Sequence, residues 1–170
     1  MSHRAFVAVG TNLGKKEANY LKALEKIEEL PDTRITGRSS LYETEPHGKA
    51  RNWFLNAVVE LSTGLEAREL MAGLRKIEDS MGRKRDPKKT TVSRIIDLDI
   101  LLFDTEIVDT KKLTIPHPEM QFRRFVLLPM SELAPSLVHP KLEQTISSLL
   151  VATTDTKRVT LYRRGLGGRG

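Results

Sequence analysis

Residues 93–104, with the sequence SRIIDLDILLFD, place two acids inside a run of isoleucine and leucine. The density of large aliphatic residues predicts a buried β-strand over Ile95–Phe103. Because side chains alternate between the faces of a strand, Asp97 and Asp99 should share the face opposite the apolar residues. The apolar residues expected to face the core are Ile96, Leu98, Ile100 and Leu102. The fold must therefore provide both an apolar surface for this strand and a site where two carboxylates are compensated.

The remaining sequence alternates between strand-like and helix-like segments. The predicted strands are Ala5–Val9, Arg34–Thr44, Trp53–Thr63 and Arg158–Tyr162, and the predicted helices are Glu17–Leu30, Glu66–Met81, Gln121–Leu133 and Gln144–Val151. Gly82 is placed to cap the second helix, and Pro129 should end or kink the third. The order βαββα followed by β predicts an α+β fold, a ferredoxin-like sandwich with a central, mainly antiparallel sheet covered by helices.

Composition sets further limits. The chain has 170 residues, of which 39% are hydrophobic and 29% are charged, as in ordinary globular proteins. We expect one domain over residues 1–163, followed by a basic, disordered tail over 164–170. The absence of cysteine excludes disulfides, Cys-zinc sites and thiol nucleophiles. No secretory signal or membrane-spanning run occurs, so we expect a cytoplasmic protein without a membrane partner.

The net charge of +6 favours an anionic partner, such as nucleic acid, an anionic membrane surface or a polyphosphate. Six cations and one acid lie between Arg83 and Arg94, on the loop that leads into the acidic strand. This loop has no aromatic residues, which weakens the hypothesis of single-strand nucleic-acid binding. The segment GTNLGKK (10–16) resembles a Walker A motif but has the wrong glycine spacing and lacks the Ser or Thr.

The acid pair admits several interpretations. Two surface acids on an edge strand could pair with neighbouring Lys or Arg, or one carboxyl could have a raised pKa. Alternatively, Asp97 and Asp99 could hold divalent metal, since Mg²⁺ prefers one or two carboxylates together with water and substrate phosphates. The nearby arginines Arg83, Arg85 and Arg94 favour the metal interpretation, because carboxylates and arginines together are typical of phosphoryl-transfer sites.

Other segments add candidate site residues. His117 lies between two prolines, which fix its direction, and Arg123 follows six residues later, so the two could bind phosphate. Phe54 and Asn56 share one face of a predicted strand, where a ring and an amide suit a flat heterocycle. Interpretations without a functional role remain open: His117 could be a hydrogen-bonded loop histidine, and Phe54 and Asn56 a partly buried polar pair. Glu78, near the end of its helix, should lie on the surface by default.

Six segments in order resemble the 6-hydroxymethyl-7,8-dihydropterin pyrophosphokinase family of the folate pathway. The segments are GTNLG, SSLYETEPHG, FLNAVVEL, IEDSMGRKR, RIIDLDILLFD and LTIPHPEMQFRRFVLLPMSELAP. The resemblance implies transfer of pyrophosphate from ATP to the hydroxymethyl group of the dihydropterin, with AMP as the second product. We also expect a monomer that binds small-molecule substrates and no nucleic acid, because two carboxylates would repel a phosphate backbone.

The resemblance assigns roles to individual residues. Two Mg²⁺ ions should be held by Asp97 and Asp99, which join Arg83 and Arg94 as the catalytic residues. The ATP-binding positions are Glu78, Arg83, Arg85, Arg94, Ile100, Lys112, Thr114, His117 and Arg123. The pterin-binding positions are Thr44, Glu45, His47, Phe54, Asn56, Asp97 and Phe125. The two phenylalanines should sandwich the pterin ring, Asn56 should bind its amide-like edge, and the basic loop should act as a lid over ATP.

Three departures from the family pattern are visible. The loop between Asp86 and Ser93 lacks the Trp that many members carry, and Ser93 stands where Pro is common. Arg75 replaces a residue that is commonly polar and uncharged.

Two other function classes stay open at this point. A metal-dependent nucleotidyltransferase or phosphohydrolase would not need Phe54 and Asn56, and a nucleic-acid-binding domain would tolerate loss of Asp97.

Overall fold

The central sheet contains six antiparallel strands among residues 2–46, 52–82 and 95–164, which are the residues described by a computed structural model. The strands are β1 (His3–Thr11), β2 (Thr33–Arg38), β3 (Leu41–Thr44), β4 (Phe54–Thr63), β5 (Asp97–Phe103) and β8 (Val159–Arg163). Their order is β5–β1–β4–β3–β8, with β2 also beside β4. This arrangement confirms the predicted α+β fold with an antiparallel sheet. A separate two-stranded ladder joins β6 (Val108–Asp109) to β7 (Thr114–Ile115).

Helices cover both faces of the sheet and create two apolar clusters. They are α1 (Lys16–Glu28), α2 (Ala67–Ser80), α3 (Arg124–Leu133) and α4 (Ile146–Ala152). Helices α1 and α2 pack on one face, where Val7, Leu61 and Leu98 are buried. Helices α3 and α4 pack on the other face, against Phe6 and Val58. None of the helices in the described ranges has the length and hydropathy needed to cross a membrane.

The predicted strand Arg34–Thr44 is in fact two strands that share one edge of β4. Strand β2 pairs with the C-terminal half of β4 and β3 with its beginning. At the break, the Ser39 N–H donates to the Val58 carbonyl and the Ser39 hydroxyl accepts from the Val58 N–H, at 2.9 and 2.8 Å. The hydroxyl thus replaces a backbone acceptor where the ladder is interrupted.

A bulge in β5 corrects the prediction that Leu102 faces the same core as Leu98. Phe6 pairs with Leu102 and Val7 with Ile100, so one strand has an extra residue at this point. Leu101 and Leu102 consequently both pack in the α3/α4 cluster, whereas Phe103 returns to the α1/α2 cluster.

The ends of two helices bear on the site. Helix α2 ends at Ser80, and Gly82 follows with φ of 98°, which confirms its predicted capping position. Helix α3 starts at Arg124, later than predicted, because Met120–Phe122 forms a separate 3₁₀ turn. Pro129 does not end α3, which continues to Leu133. The predicted tail falls largely outside the described residues, which stop at 164.

His3 ties together three elements at the sheet end remote from Asp97. Its Nδ1 lies 2.7 Å from the Asp104 carboxylate after β5, and its Nε2 lies 3.3 Å from Glu66 before α2. The hydrogen bond to Asp104 is the main cause that raises the pKa of His3, partly opposed by burial. A charged His3 is therefore favoured in the folded state.

We predict that His3 stabilises the fold more at low pH than at high pH. Because its folded pKa exceeds its unfolded value, the stabilisation is complete below about pH 6.5 and disappears as pH rises through the folded pKa. Thermal unfolding of wild type and His3→Gln should therefore differ by about 1–3 °C more at pH 5.5 than at pH 8.5. An equal difference at both pH values would contradict this account.

Candidate functional site

A cavity of about 360 Å³ lies on the α3 side of the sheet. Three neighbouring strands form its floor, where Gly10 of β1 lies between Asn56 of β4 and Asp97 of β5. Ala8, two residues earlier, lies opposite Asp99. Gly10 and Ala8 leave the centre of the floor without large side chains. At Gly10, an added Cβ would lie 2.9 Å from Asn56 Oδ1, so this position has no room for one.

Asp97 and Asp99 both line this cavity, as strand alternation predicts, while Leu98 between them is buried on the opposite face. The Asp99 side chain retains 39% of its exposure. The Asp99 carboxylate is therefore open to water and to a ligand in the cavity, and both acids stand on a sheet backed by an apolar core.

Two side chains of α2 hold the backbone between the acids. Glu78 Oε2 accepts a hydrogen bond from the Leu98 N–H at 3.0 Å, and Arg75 Nη1 donates to the Leu98 carbonyl at 3.3 Å. Arg75 Nη1 also lies 2.5 Å from Glu78 Oε1. Within the described sheet β5 pairs only with β1, so Glu78 and Arg75 occupy an edge where a further strand would otherwise bond. We name these two residues the α2 clamp.

The burial of Glu78 corrects the default prediction of a surface role. Its side chain is 1% exposed, whereas that of Arg75 is 37% exposed. A buried carboxylate requires a charged or hydrogen-bonding partner, and the Leu98 N–H and the Arg75 guanidinium provide both. Glu78 does not line the cavity, and it bonds the backbone between Asp97 and Asp99.

The cavity lining also includes two aromatic rings and two buried polar side chains. Phe54 and Phe125 line it from β4 and from the first turn of α3. Asn56 and Thr44 are buried, and the Asn56 Nδ2 donates to Thr44 Oγ1 at 2.8 Å. This bond fixes the orientation of the Asn56 amide, which directs its Oδ1 toward Gly10.

His117 and Arg123 line the cavity near Asp99. Burial lowers the pKa of His117, which Asp99 opposes and Arg123 reinforces. His117 Nδ1 accepts from the Glu119 N–H at 3.1 Å, so the neutral ring carries its hydrogen on Nε2. Arg123 pairs with Glu119 and stands 5.6 Å from the centre of the Phe125 ring.

The structure brings together eight of the predicted residues around the cavity: Thr44, Phe54, Asn56, Asp97, Asp99, His117, Arg123 and Phe125. Ile100 is buried in the α1/α2 cluster, Lys112 is exposed, and Thr114 lies in β7. Glu45 Oε1 accepts a hydrogen bond from the backbone N–H of Arg158 at 2.8 Å. Four further predicted residues lie outside the described residues: His47, Arg83, Arg85 and Arg94.

Sequence reasoning missed three contributors. Gly10 and Ala8 matter through their cross-strand partners, which the sequence alone does not reveal. Arg75 reaches Asp99 as well, with 3.5 Å between its Nη2 and Asp99 Oδ1. Its spacing of three residues from Glu78 was a signal for their pairing. Glu78 also lies four residues after buried Leu74, which places it on the apolar face of the helix.

The acid pair suits a hard divalent cation that keeps part of its water shell. Among the described residues, no group of three or more His, Cys, Asp or Glu side chains could enclose a metal ion. Two carboxylate ligands facing an open cavity match the preference of Mg²⁺ for a few carboxylates, water and phosphate oxygens. Asp97 and Asp99 therefore fit such an ion without a protein cage.

Most of the chain is similar in sequence to proteins of one family. Residues 6–135 match the family described as 7,8-dihydro-6-hydroxymethylpterin-pyrophosphokinase. A relative from Pseudomonas aeruginosa, named 2-amino-4-hydroxy-6-hydroxymethyldihydropteridine pyrophosphokinase, is 41% identical over 141 residues, covering 82% of this chain and 86% of the relative. The Bacillus subtilis protein of the same name is 34% identical over 168 residues, covering 98% and 95%.

A solved structure shares the fold at low sequence identity. The crystal structure of Plasmodium falciparum HPPK-DHPS with pterin and p-hydroxybenzoate matches with a TM-score of 0.70 and 18% identity. The match covers 89% of this chain and 42% of the Plasmodium chain, so this chain corresponds to less than half of that protein.

We predict that Glu78→Gln destabilises the protein by about 2–3 kcal/mol, because it weakens the bond to Leu98 and removes the charge that Arg75 faces. Urea unfolding followed by circular dichroism measures the change. Asp79→Asn, at the exposed neighbouring position, is the matched control and should stay within about 0.5 kcal/mol. Equal effects of the two substitutions would show that the α2 clamp contributes little.

Proposed function

This chain belongs to the 7,8-dihydro-6-hydroxymethylpterin-pyrophosphokinase family, and from this we propose that it transfers pyrophosphate from ATP to 6-hydroxymethyl-7,8-dihydropterin in folate biosynthesis. The products are AMP and the dihydropterin diphosphate. The observation that carries the proposal is the meeting, in one cavity, of an acid pair, a fixed amide, two aromatic rings and a His–Arg pair.

The aromatic and amide side chains of the cavity support binding of the pterin. A flat heterocycle between Phe54 and Phe125 would bury both of its faces against aromatic carbon. Asn56 presents a carbonyl and an amide to its edge, in an orientation that Thr44 fixes in advance. Such a fixed donor–acceptor pair discriminates against rings that cannot form both bonds, because a buried polar group would remain unpaired.

His117 and Arg123 suit the phosphates of ATP. His117 in its neutral Nε2–H form is a hydrogen-bond donor, and Arg123 is a permanent cation. Arg123 can exchange Glu119 for a phosphate oxygen, because both partners accept from the same guanidinium. Arg83, Arg85 and Arg94 are proposed to add further phosphate contacts.

Asp97 and Asp99 are proposed to hold two Mg²⁺ ions. When bound, these ions would neutralise phosphate charge and make the β-phosphorus more electrophilic. The two acids lie on β5, with Gly10 between Asp97 and Asn56, and His117 lines the same cavity. The cations would therefore be held beside both proposed substrate sites. The Glu78 and Arg75 contacts to Leu98 keep both acids in register with those sites.

The reaction itself requires little covalent help from the protein. The hydroxymethyl oxygen of the pterin attacks the β-phosphorus of ATP, the bond from that phosphorus to the oxygen bridging to the α-phosphate breaks, and AMP leaves. The hydroxyl loses its proton, for which Asp97 is the candidate acceptor. Most of the rate enhancement should therefore come from alignment of the two substrates and from neutralisation of charge.

We predict AMP formation in step with pterin consumption when the protein is mixed with ATP, Mg²⁺ and 6-hydroxymethyl-7,8-dihydropterin. Asp97→Asn should lower kcat at least about 100-fold, since it removes a charge that the reaction needs. Asp109→Asn, an exposed acid on β6, is the matched control and should keep wild-type activity. Chromatography of the nucleotides decides the outcome: ADP would indicate an ordinary kinase, and no pterin-dependent turnover would contradict the proposal.

We also predict that Asn56 governs pterin affinity. Asn56→Ala should raise the KM for the pterin about 10–100-fold, with a smaller effect on the KM for ATP, because a bidentate contact is lost. Thr44→Val should have an intermediate effect, since it removes only the acceptor that fixes the amide. Steady-state kinetics with each substrate varied in turn tests this. An equal rise in both KM values would instead indicate general damage to the cavity.

A further inference from the structure

Arg75 bridges two carboxylates of very different character. Its Nη1 contacts Glu78 Oε1 at 2.5 Å, and its Nη2 lies 3.5 Å from Asp99 Oδ1. Glu78 is fully buried and is also fixed by the Leu98 N–H, whereas Asp99 is 39% exposed at the cavity. Arg75 therefore has one tight, immobile partner and one looser partner that is open to ligands.

The charges around Asp99 make this contact consequential. Asp97 is two residues away on the same face, so the pair repel each other and each loses hydration against the sheet. Arg75 contacts both Glu78 and Asp99, and an arginine guanidinium keeps its charge in proteins. In the protein without ligand, the guanidinium thus offsets part of the negative charge on the acid pair.

A divalent cation at the acid pair would meet this guanidinium directly. The cation and the guanidinium would both bind carboxylate oxygens of Asp99. Two positive charges a few ångströms apart also repel each other. The guanidinium has a place to remain, because Glu78 and the Leu98 carbonyl keep two of its hydrogen bonds when Asp99 is released. The geometry therefore allows exchange of one cation for another at Asp99 without loss of the α2 clamp.

We propose that Arg75 is a resident counter-ion of Asp99 that a divalent cation must displace, so that Arg75 weakens metal binding at the acid pair in the absence of nucleotide. This inference rests on the proposed metal site at Asp97 and Asp99. It makes Arg75 a positioning residue whose charge tunes occupancy of the site. The consequence is a site that is poorly loaded by free metal and is filled when the nucleotide phosphates add their own negative charge.

The test measures Mn²⁺ binding to the nucleotide-free protein by titration calorimetry and by electron paramagnetic resonance of free Mn²⁺. Arg75→Gln keeps a hydrogen-bonding side chain but removes the charge, and it should bind Mn²⁺ about three- to tenfold more tightly. Lys76→Gln is the matched control, because it removes one positive charge from the exposed face of the same helix. It should change the dissociation constant less than about twofold. Arg75→Lys, which keeps the charge, should stay near wild type.

A background of Asp99→Asn sharpens the comparison. In that background, the further substitution Arg75→Gln should leave Mn²⁺ binding unchanged, since the shared carboxylate is gone. Unchanged or weaker binding by Arg75→Gln alone, or an equal gain from Lys76→Gln, would overturn the proposal. Circular dichroism verifies folding of each variant.

A second measurement needs no substitution at position 75. In the wild-type protein labelled with ¹⁵N-arginine, Mg²⁺ should shift one arginine side-chain resonance, and Asp99→Asn should abolish that shift. No Mg²⁺-dependent shift would overturn the inference. Failure of the proposed function would be seen separately, as absence of pterin-dependent AMP formation at saturating Mg²⁺ and ATP.

Discussion

The antiparallel register of β4, β1 and β5 determines where the chemistry of this protein lies. Because Gly10 pairs with both Asn56 and Asp97, an amide, a bare backbone position and a carboxylate form one row across the sheet. Everything else in the cavity is arranged around that row. Phe125 arrives from α3, His117 from the segment after β7, and the α2 clamp holds the outer edge of β5. A shift of the register by one residue would turn these side chains into the apolar core.

The main strands and helices, and the position of the two acids, could be predicted from the sequence because they depend on local patterns. Alternation in residues 95–100 separates the two acids from the core, and helical spacing gives α1 and α2. The break at Ser39 and the bulge beside Leu101 could not be predicted, because both arise from pairing with a neighbouring strand. For the same reason, the roles of Gly10 and Ala8 could not be predicted, because they depend on the residues paired with them on neighbouring strands.

Glu78 shows how a residue type can mislead. Glutamate is rarely buried without a partner, so a surface position is the natural expectation. In this fold it lies at the unpaired edge of β5, where backbone groups need partners and a carboxylate can accept from an N–H. The resemblance to the pyrophosphokinase family identified Glu78 as a site position, and the structure shows it bonded to the Leu98 N–H. Ile100 is similarly buried, on the far side of the strand from the acids.

The small residues in the cavity floor have a consequence for how this protein can adapt to a ligand. Gly10 has no side chain and Ala8 has no rotatable one, so neither can move aside or swing inward. They belong to the central strand of the row, which is paired on both sides. The depth of the cavity is consequently a fixed property of the backbone. Any adjustment of shape during binding must come from its walls, such as the rings of Phe54 and Phe125.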